Sequence, residues 1–259
     1  AAHATTVWGL KSMADSPSDP PTHLFSFDAA ASTYTDHGPL TLGGQSIDGD
    51  GLAQAASGRL FGYALTGTGS QLFEINTTTF ATTATGSVQS GWDIRGAAFA
   101  PTGEMWVYDN ASDRLMRVNE TTGTMIGSAI TLSGDVTDLT NLSDIAFRGS
   151  QLHAASTFNS GDGHKTRFYT IDTVSGNTTF IHTDAANDPT KNGVGSQDNP
   201  PGAAGLAFDK AGDALLYEVF NDDDVFHYEV DNAFARTEQI AHLIPSFNAF
   251  GPTRHTFAY

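Results

Sequence analysis

Aspartates that recur in short glycine-rich stretches are the residues of this sequence best suited to chemistry. The clearest stretch is Asp48-Gly49-Asp50-Gly51, and Asp93 and Asp144 occupy comparable places further along the chain. Carboxylate oxygens that converge from several segments suit Ca²⁺, which takes about six to eight oxygen ligands. The pattern therefore predicts a calcium site formed by Asp48, Asp50, Asp93 and Asp144. The alternative is that these carboxylates cap turns by accepting hydrogen bonds from backbone N–H groups.

The same carboxylates supply a candidate catalytic set. Glycoside cleavage uses a pair of carboxyl groups that flank the scissile bond. Asp48 paired with Asp93 or Asp144 would fill these roles if the protein is an enzyme. No Glu stands in these stretches to act as a general acid, and no G-x-S-x-G, H-E-x-x-H or Walker loop occurs in the chain. The sequence therefore favours a non-enzymatic protein, with a glycan-active hydrolase or lyase as the alternative.

Four further residues are candidate ligand contacts. Trp92 directly precedes Asp93, so its ring could stack on a sugar at the same place. Arg95 follows in the same stretch, and Arg254 and His255 stand in the matching stretch near the end of the chain. We predict that these residues contact a ligand. For Arg254 and His255 the alternative is a structural contact with a neighbouring element.

His3 carries a separate metal hypothesis. A free N-terminus at Ala1 would place the α-amine, the backbone amides and the imidazole of His3 in the spacing that chelates Cu²⁺ or Ni²⁺ in a square plane. Any chain with His at its third position has this spacing. The alternative explanation is therefore that processing of the N-terminus placed the histidine there.

Composition limits the partners and the compartment. The chain has 259 residues, with 29 acidic against 12 basic side chains and a formal net charge of −17. A field of this sign repels nucleic acid and attracts cations. No stretch approaches the ~18 consecutive apolar residues that indicate a transmembrane helix, and no cysteine is present for disulfides or thiolate metal sites. Scarce lysine and abundant Thr, Ser, Gly and Asn predict a secreted, periplasmic or cell-surface protein.

A repeated strand pattern must position these residues. Five copies of a short segment alternate large residues and end in Asp or Asn, which predicts a strand with one buried face followed by a tight turn. The copies are Leu24–Asp28, Leu72–Asn76, Leu115–Asn119, Phe168–Asp172 and His227–Asp231. An apolar strand precedes each copy, at Val7–Ser12, Arg59–Leu65, Glu104–Asn110, Gln151–Thr157 and Ala214–Phe220.

A strand of small residues precedes four of these pairs, and the candidate aspartates stand at its start. The four segments are Gly51–Ala53, Gly96–Phe99, Asp144–Phe147 and Gly205–Phe208, and the missing fifth appears at the other end of the chain as His255–Tyr259. Small residues suit an innermost strand, where several strands converge around an axis. A C-terminal strand that completes the first sheet would close a ring.

The sequence therefore predicts one all-β domain, a five-bladed β-propeller of four-stranded blades whose ring closes when the C-terminal strand joins the N-terminal blade. The predicted blades are 7–45 plus 251–259, 47–90, 92–131, 142–183 and 203–244. A two-sheet sandwich, the alternative, explains neither the repeat nor the split first unit. The long segments fall on the face where the inner strands begin, which predicts the binding face; they are 13–22, 131–143, 158–166 and 184–202.

The repeat consensus also carries a family resemblance. Gly-Leu-Ala, a short turn, an apolar strand, Leu-Phe-x-Ile-Asp/Asn and Thr-x-x-Gly resemble the repeats of secreted bacterial β-propellers of the NHL/YVTN kind, common in exported proteins with PEP-CTERM sorting tails. The match is best over residues 51–76 and 96–123, and no sorting tail follows the repeats. The resemblance implies the propeller fold and export. It leaves the activity open, because such families share scaffold more than function.

We therefore expect a secreted, non-enzymatic propeller that binds an extracellular ligand, a glycan or a protein, on its acidic face with the help of Ca²⁺. Neither nucleic acid nor a membrane span is expected. Besides the hydrolase or lyase, a structural subunit of an extracellular assembly is the second alternative.

Overall fold

The computed structural model is built of β-strands joined by turns. It describes residues 6–12, 22–28, 33–136, 142–159, 164–185, 205–208, 214–219, 224–230, 236–244 and 254–258. Much of the predicted long segments, and with them much of the predicted loop-rich face, lies outside these residues. Within the described ranges every regular element is a strand. A search of the same ranges finds no helix with the length and apolarity needed to cross a membrane.

The strands follow one another in chain order as a series of sheets. The first sheet and a small ladder contain β1 (Thr6–Ser12), β2 (His23–Asp28), β3 (Thr33–Pro39), β4 (Thr41–Leu42) and β5 (Gln45–Ser46). The second contains β6 (Asp48–Gln54), β7 (Leu60–Thr66), β8 (Gly69–Ile75), β9 (Thr82–Ala84) and β10 (Gln89–Ser90). The third contains β11 (Ile94–Phe99), β12 (Met105–Asp109), β13 (Arg114–Val118) and β14 (Met125–Thr131).

Two more sheets complete the series. The fourth contains β15 (Ser133–Gly134), β16 (Leu142–Arg148), β17 (Gln151–Asn159), β18 (His164–Ile171) and β19 (Asn177–Ala185), with β15 parallel to β19. The fifth contains β20 (Ala207–Phe208), β21 (Ala214–Val219), β22 (Asp224–Val230) and β23 (Arg236–Ile244). The last strand, β24 (Arg254–Ala258), returns to the first sheet and pairs antiparallel with β1, so that Gly9 lies opposite Phe257. The first sheet therefore contains strands that lie far apart in the sequence, in the order β24, β1, β2 and β3.

The repeated segment forms a strand as predicted, but it is buried on both faces. On β8, Leu72 and Phe73 point to opposite sides of the sheet, and both are fully buried. Leu72 belongs to the core between the second and third sheets, whereas Phe73 belongs to the core between the first and second. The prediction of one buried face was wrong, because each sheet packs between two neighbouring sheets.

Three apolar clusters join the first four sheets face to face. Trp8 packs in the cluster between the first and second sheets, and Trp106 in the cluster between the third and fourth. Phe61 and Tyr63 of β7 pack with Val107 of β12 in the cluster between the second and third sheets. Successive sheets that pack face to face around a shared axis are the blades of a β-propeller, so the all-β propeller arrangement is confirmed and the sandwich alternative was wrong.

The inner strands enclose a narrow axial cavity of about 70 Å³, room for a few water molecules. Segments of β6, β11, β16 and β20 line it, together with Ala258 of β24. Small residues allow the strands to approach each other so closely. A Cβ on Gly96 would lie 2.8 Å from the backbone nitrogen of Ile145 on the next inner strand. The prediction that small residues mark the innermost strands is therefore confirmed at this position.

Side-chain hydroxyl groups form hydrogen bonds from the first sheet to the start of β6 and from the second sheet to the start of β11. Thr22 Oγ1 accepts a hydrogen bond of 2.7 Å from the backbone N–H of Gly49, at the start of β6. At the equivalent place near the start of β8, Ser70 Oγ accepts from the N–H of Ile94 and donates to the carbonyl of Trp92, both at 3.1 Å. These bonds fix the entrances of the inner strands that carry the candidate site.

A buried histidine on β17 packs against β20. His153 is 5 % exposed, and its ring centroid lies 5.4 Å from that of Phe208. Burial lowers its pKa to about 4; the contact of Nδ1 with the carbonyl of Gln151 raises the pKa, and the charge of Arg148 lowers it. The folded protein therefore keeps this imidazole neutral in a pH range where an exposed imidazole becomes charged.

Acidification should destabilise the fold through His153. Between about pH 6.5 and pH 4 the unfolded chain binds a proton that the folded chain does not, which costs up to about 3 kcal/mol of the free energy of unfolding. The variant His153→Leu cannot titrate at this position and should lose less stability over the same range. Denaturant melts of both proteins across this pH range measure the difference. Equal losses in the two proteins would contradict the prediction.

Candidate ligand-binding site

The candidate site lies where β11 begins, beside the second sheet. Along the β11–β12 ladder Ile94 lies opposite Asp109 and Gly96 lies opposite Tyr108, so that Arg95 is the extra residue of a β-bulge. A bulge breaks the alternation of a strand and redirects its side chain. We call Asp50, Asp93, Arg95 and Asn110 the mouth cluster, because they lie together where the inner strands β6 and β11 begin. The axial cavity is lined by other residues, nearer the ends of these strands.

Arg95 is the centre of the mouth cluster. Its Nη2 and the Nδ2 of Asn110 both donate to Oδ2 of Asp93, each at 2.9 Å. Its Nε lies 2.8 Å from Oδ1 of Asp93 as an ion pair, and its Nη1 lies 4.0 Å from Oδ2 of Asp50 on the second sheet. The side chains of Arg95 and Asp93 are 19 % and 26 % exposed, so a ligand can reach this pair.

Part of the hydrogen-bonding capacity of the mouth cluster is unused. Among the described residues, the buried side-chain nitrogen and oxygen atoms without a hydrogen-bond partner are Tyr63 Oη, Arg95 Nε and Asn110 Oδ1. The contact of Arg95 Nε with Asp93 is close enough for an ion pair but is not aligned as a hydrogen bond. Buried polar atoms in folded proteins are almost always paired. The two atoms of the cluster, Arg95 Nε and Asn110 Oδ1, are closed to solvent, so a ligand would have to contact other atoms of these side chains.

Asp50 is the buried acid of the mouth cluster. Its side chain is 4 % exposed, and Oδ1 accepts a hydrogen bond of 3.0 Å from the N–H of Gly51. Burial raises the pKa of Asp50 well above its ordinary value; Arg95 and the bond from Gly51 lower the pKa, and the charges of Asp48 and Asp93 raise it. Asp48 is half-buried at the start of β6. The environment thus favours a protonated carboxyl at Asp50.

A second acid–arginine pair, Asp109 and Arg114, contacts the backbone of the mouth cluster. Asp109 is fully buried, accepts from Nε of Arg114 at 2.8 Å, and also accepts from the backbone N–H of Asp93 at 2.9 Å. It therefore holds the backbone that carries Asp93. Sequence reasoning did not assign Asn110 to the site. The only signal for it is its place directly after β12, opposite the start of β11.

Asp144 accepts hydrogen bonds from the backbone of two sheets. Its side chain is fully buried, and its carboxylate accepts from the N–H of Ile145 at 2.8 Å and from the N–H of Leu206 at 3.0 Å. Leu206 directly precedes β20, so Asp144 ties the fourth sheet to the fifth. This matches the turn-capping alternative for Asp144.

The other predicted site residues are only partly described. Trp92 is half-buried against the core between the second and third sheets. The backbones of Arg254 and His255 pair with Ser12 and Lys11 in the β24–β1 ladder, but their side chains fall outside the description, as does His3. In the part of the chain that the structure covers, no group of three or more His, Asp or Glu side chains is placed to hold a metal ion. The calcium site of Asp48, Asp50, Asp93 and Asp144 stays a prediction.

No protein-family model matches the sequence, and no curated protein matches it. Solved structures do match the fold. An α-L-arabinofuranosidase from Clostridium thermocellum superposes with a TM-score of 0.61 and 11 % identity, over 96 % of this chain and 94 % of that one. The periplasmic gluconolactonase PpgL of Pseudomonas aeruginosa gives 0.55 and 13 %, over 96 % and 85 % of the two chains.

A third match is a chain from a complex of two proteins. A chain of a nidogen/laminin complex superposes with a TM-score of 0.56 and 10 % identity, over 98 % of this chain and 99 % of that chain. At such identities these likenesses show the fold alone. They are the β-propeller neighbours that the NHL/YVTN resemblance implies, and none of them supports the PEP-CTERM type. The chain is thus similar to β-propellers with both enzymatic and binding functions.

Proposed function

We propose that the protein is a secreted, non-enzymatic binding protein that holds its ligand at the mouth cluster. The observation that carries this proposal is the partly exposed ion pair of Arg95 and Asp93, in which Nη1 of Arg95 makes no hydrogen bond with a described residue and lies 4.0 Å from Asp50. Because this nitrogen still has hydrogen atoms to donate and the Arg95 side chain is 19 % exposed, a ligand can bond to it.

The proposal includes a five-bladed ring. The fifth sheet, β20–β23, would complete it, because Leu206, Ala207 and Phe208 line the same axial cavity as β6, β11 and β16. The pairing of β24 with β1 would then close the ring, because the last strand of the sequence becomes part of the first blade. The acidic composition supports an exported protein, and calcium remains part of the proposal for the acidic face.

The carboxylates argue against an acid–base pair at Asp48, Asp93 and Asp144. Asp144 accepts backbone hydrogen bonds from two sheets, and Asp93 is engaged by Arg95 and Asn110. A general base needs an oxygen that is within hydrogen-bond reach of its proton. These contacts therefore support binding over catalysis.

Binding assays with variants of the cluster test the proposal. Wild type, Arg95→Met and Asn110→Ala would be compared on arrays of glycans and of extracellular proteins, with circular dichroism to confirm folding. We expect at least one ligand whose binding both variants weaken at least tenfold, and no turnover of that ligand. Binding that neither variant affects would place the ligand elsewhere and contradict the proposal.

One observation favours a hydrolase or lyase as a second candidate function. Asp50 is a buried carboxyl whose pKa is raised well above its ordinary value, mainly by burial, which is the state that a general acid needs. If this function holds, turnover of a glycan by wild type should disappear in Asp50→Asn while binding persists. Turnover by Asp50→Asn at the wild-type rate would exclude this role for Asp50.

A further inference from the structure

One turn of the repeat ends in a bulky residue where the equivalent turns end in glycine. After β8, the side chain and the carbonyl of Asn76 accept the hydrogen bonds of a turn that ends at Phe80. The turns after β13 and β18 have the same hydrogen bonds and end at Gly123 and Gly176. The φ angles of these three last residues are 59°, 67° and 75°. Bulky side chains are rare in this left-handed region because the Cβ crowds the following carbonyl, so the backbone conformation of Phe80 is unfavourable.

The two glycines bring their turns against the backbone of the preceding sheet. A Cβ on Gly123 would overlap the carbonyl oxygen of Thr85, which follows β9 of the second sheet. A Cβ on Gly176 would overlap the carbonyl oxygen of Thr131 in β14 of the third sheet. At Phe80 the preceding sheet is the first, and the aromatic ring makes the contact with it. The contact between the first and second sheets therefore differs in chemistry from the two contacts that follow.

The ring of Phe80 stacks on the imidazole of His37 in β3. The two ring centroids lie 4.0 Å apart, and the ring planes are inclined by 25°. The indole of Trp8 lies beside the same imidazole, with centroids 5.6 Å apart, and Nε2 of His37 lies 2.7 Å from Oγ of Ser26. Phe80 also packs on the apolar cluster between the first and second sheets. The stack thus joins these two sheets through an ionisable group.

The surroundings of His37 favour its neutral form. Burial lowers the pKa of His37, whereas the charge of Asp36, the preceding residue, raises it. Asp36 also pairs with His23, whose Nδ1 lies 3.1 Å away. The groups that contact the imidazole from β1, β2 and the turn after β8 are uncharged, and the acid on the same side of β2 is Asp28, two residues beyond Ser26. Acid therefore acts against the packed imidazole.

We propose that the Phe80–His37 stack is an acid-sensitive connection between the first and second sheets, which protonation of His37 loosens so that these sheets separate more often. The stack offsets the unfavourable backbone conformation of Phe80, so a weaker stack favours release of the turn. The first sheet also holds the start of β6, through the hydrogen bond from Gly49 to Thr22. This inference does not rest on the proposed binding function.

Two amides report on the separation of neighbouring sheets. The N–H of Gly49 donates to Thr22 Oγ1 between the first and second sheets, and the N–H of Ile94 donates to Ser70 Oγ between the second and third. Acid effects on the whole fold, including that of His153, lower the protection of both amides. A loss of protection at Gly49 beyond that at Ile94 therefore measures the first contact alone.

The test compares wild type with His37→Gln, which cannot titrate at this position, and with Phe80→Gly, which gives the turn the residue of its equivalents and should fold. Amide exchange is followed by NMR at about pH 7 and about pH 5, on either side of the ordinary pKa of histidine. The imidazole resonance of His37, assigned by its disappearance in His37→Gln, is titrated in wild type and in Phe80→Gly.

In wild type, the protection of Gly49 relative to Ile94 should fall about two- to tenfold on acidification, since each unit by which packing lowers a pKa is worth up to about tenfold. Neither His37→Gln nor Phe80→Gly should show this relative fall. The pKa of His37 should rise towards its ordinary value in Phe80→Gly.

Three results would each overturn the inference. The first is an equal loss of protection at Gly49 and Ile94 in wild type. The second is the same relative fall in His37→Gln as in wild type, which would assign the acid effect to another group. The third is a pKa of His37 that is unchanged by Phe80→Gly, which would show that the stack does not control this titration.

Discussion

The variant Gly96→Ala is expected to lower the free energy of unfolding by about 2–3 kcal/mol. A Cβ at this position would lie 2.8 Å from the backbone nitrogen of Ile145 and 3.0 Å from Oδ1 of Asp144. The nitrogen belongs to a strand, so it cannot move away as the end of a flexible side chain would. The two inner strands β11 and β16 must separate, which disturbs the packing around the axis.

A matched control separates this contact from the general effect of replacing glycine. Gly67 lies in a turn, and a Cβ there would meet no heavy atom of the described residues within 4 Å. Gly67→Ala should therefore change the stability by less than about 1 kcal/mol. Thermal unfolding monitored by circular dichroism should show a midpoint about 5–10 °C lower for Gly96→Ala than for wild type. Equal midpoints for the two variants would contradict the close approach of β11 and β16.

The variant Asp144→Ala is expected to be the other large loss of stability, about 3–4 kcal/mol. Removing the carboxylate leaves the buried N–H groups of Ile145 and Leu206 without this acceptor, and each unsatisfied group costs about 1–3 kcal/mol. Asp144→Asn keeps one acceptor oxygen and should lose about half as much. The hydrogen bond to Leu206 joins the fourth sheet to the fifth. Its removal should therefore weaken the contact between these two sheets as well as the strand that carries Asp144.

Hydrogen exchange distinguishes this mechanism from a local one. In Asp144→Ala the amide of Leu206 should exchange much faster than in wild type, and so should the amides of β20. These hydrogen bonds of Asp144 do not involve β7 or β8. The exchange rates of the amides in β7 and β8 should therefore change only as far as the global free energy of unfolding changes. Wild-type protection of Leu206 in the variant would show that the interblade hydrogen bond does not stabilise the fold.

The strands could be predicted from the sequence because their pattern is local. The apolar segments Arg59–Leu65 and Gln151–Thr157 correspond to β7 and β17 within a residue or two at each end. The burial of both faces of β8 could not be predicted from alternation, because one face of that strand meets the first sheet and the other meets the third. Which sheets flank a strand is a property of the ring, not of the segment.

The candidate site was predicted in part. Asp50, Asp93 and Arg95 do come together, as their shared place at the starts of inner strands suggests. Asp144 stands in a similar stretch, but it corresponds to Gly96 rather than to Asp93, and its carboxylate meets a backbone N–H 62 residues away. Asn110 was missed because its partner, Asp93, lies 17 residues earlier, directly before β11, whereas Asn110 directly follows β12. Contacts across strands and sheets leave no local mark in the sequence.

The most direct test of binding at the mouth cluster is NMR of the arginine Nε–H groups during a titration with the best ligand from the glycan and protein arrays. The resonance of Arg95 would be assigned by its disappearance in Arg95→Lys. We predict that this resonance shifts on binding, with the same dissociation constant as the backbone amides of Asp93 and Asn110. The Nε–H of Arg117, whose side chain pairs with Glu104 at the other end of the strands, should stay in place. Saturation with ligand that leaves the Arg95 resonance unmoved would contradict binding at this site.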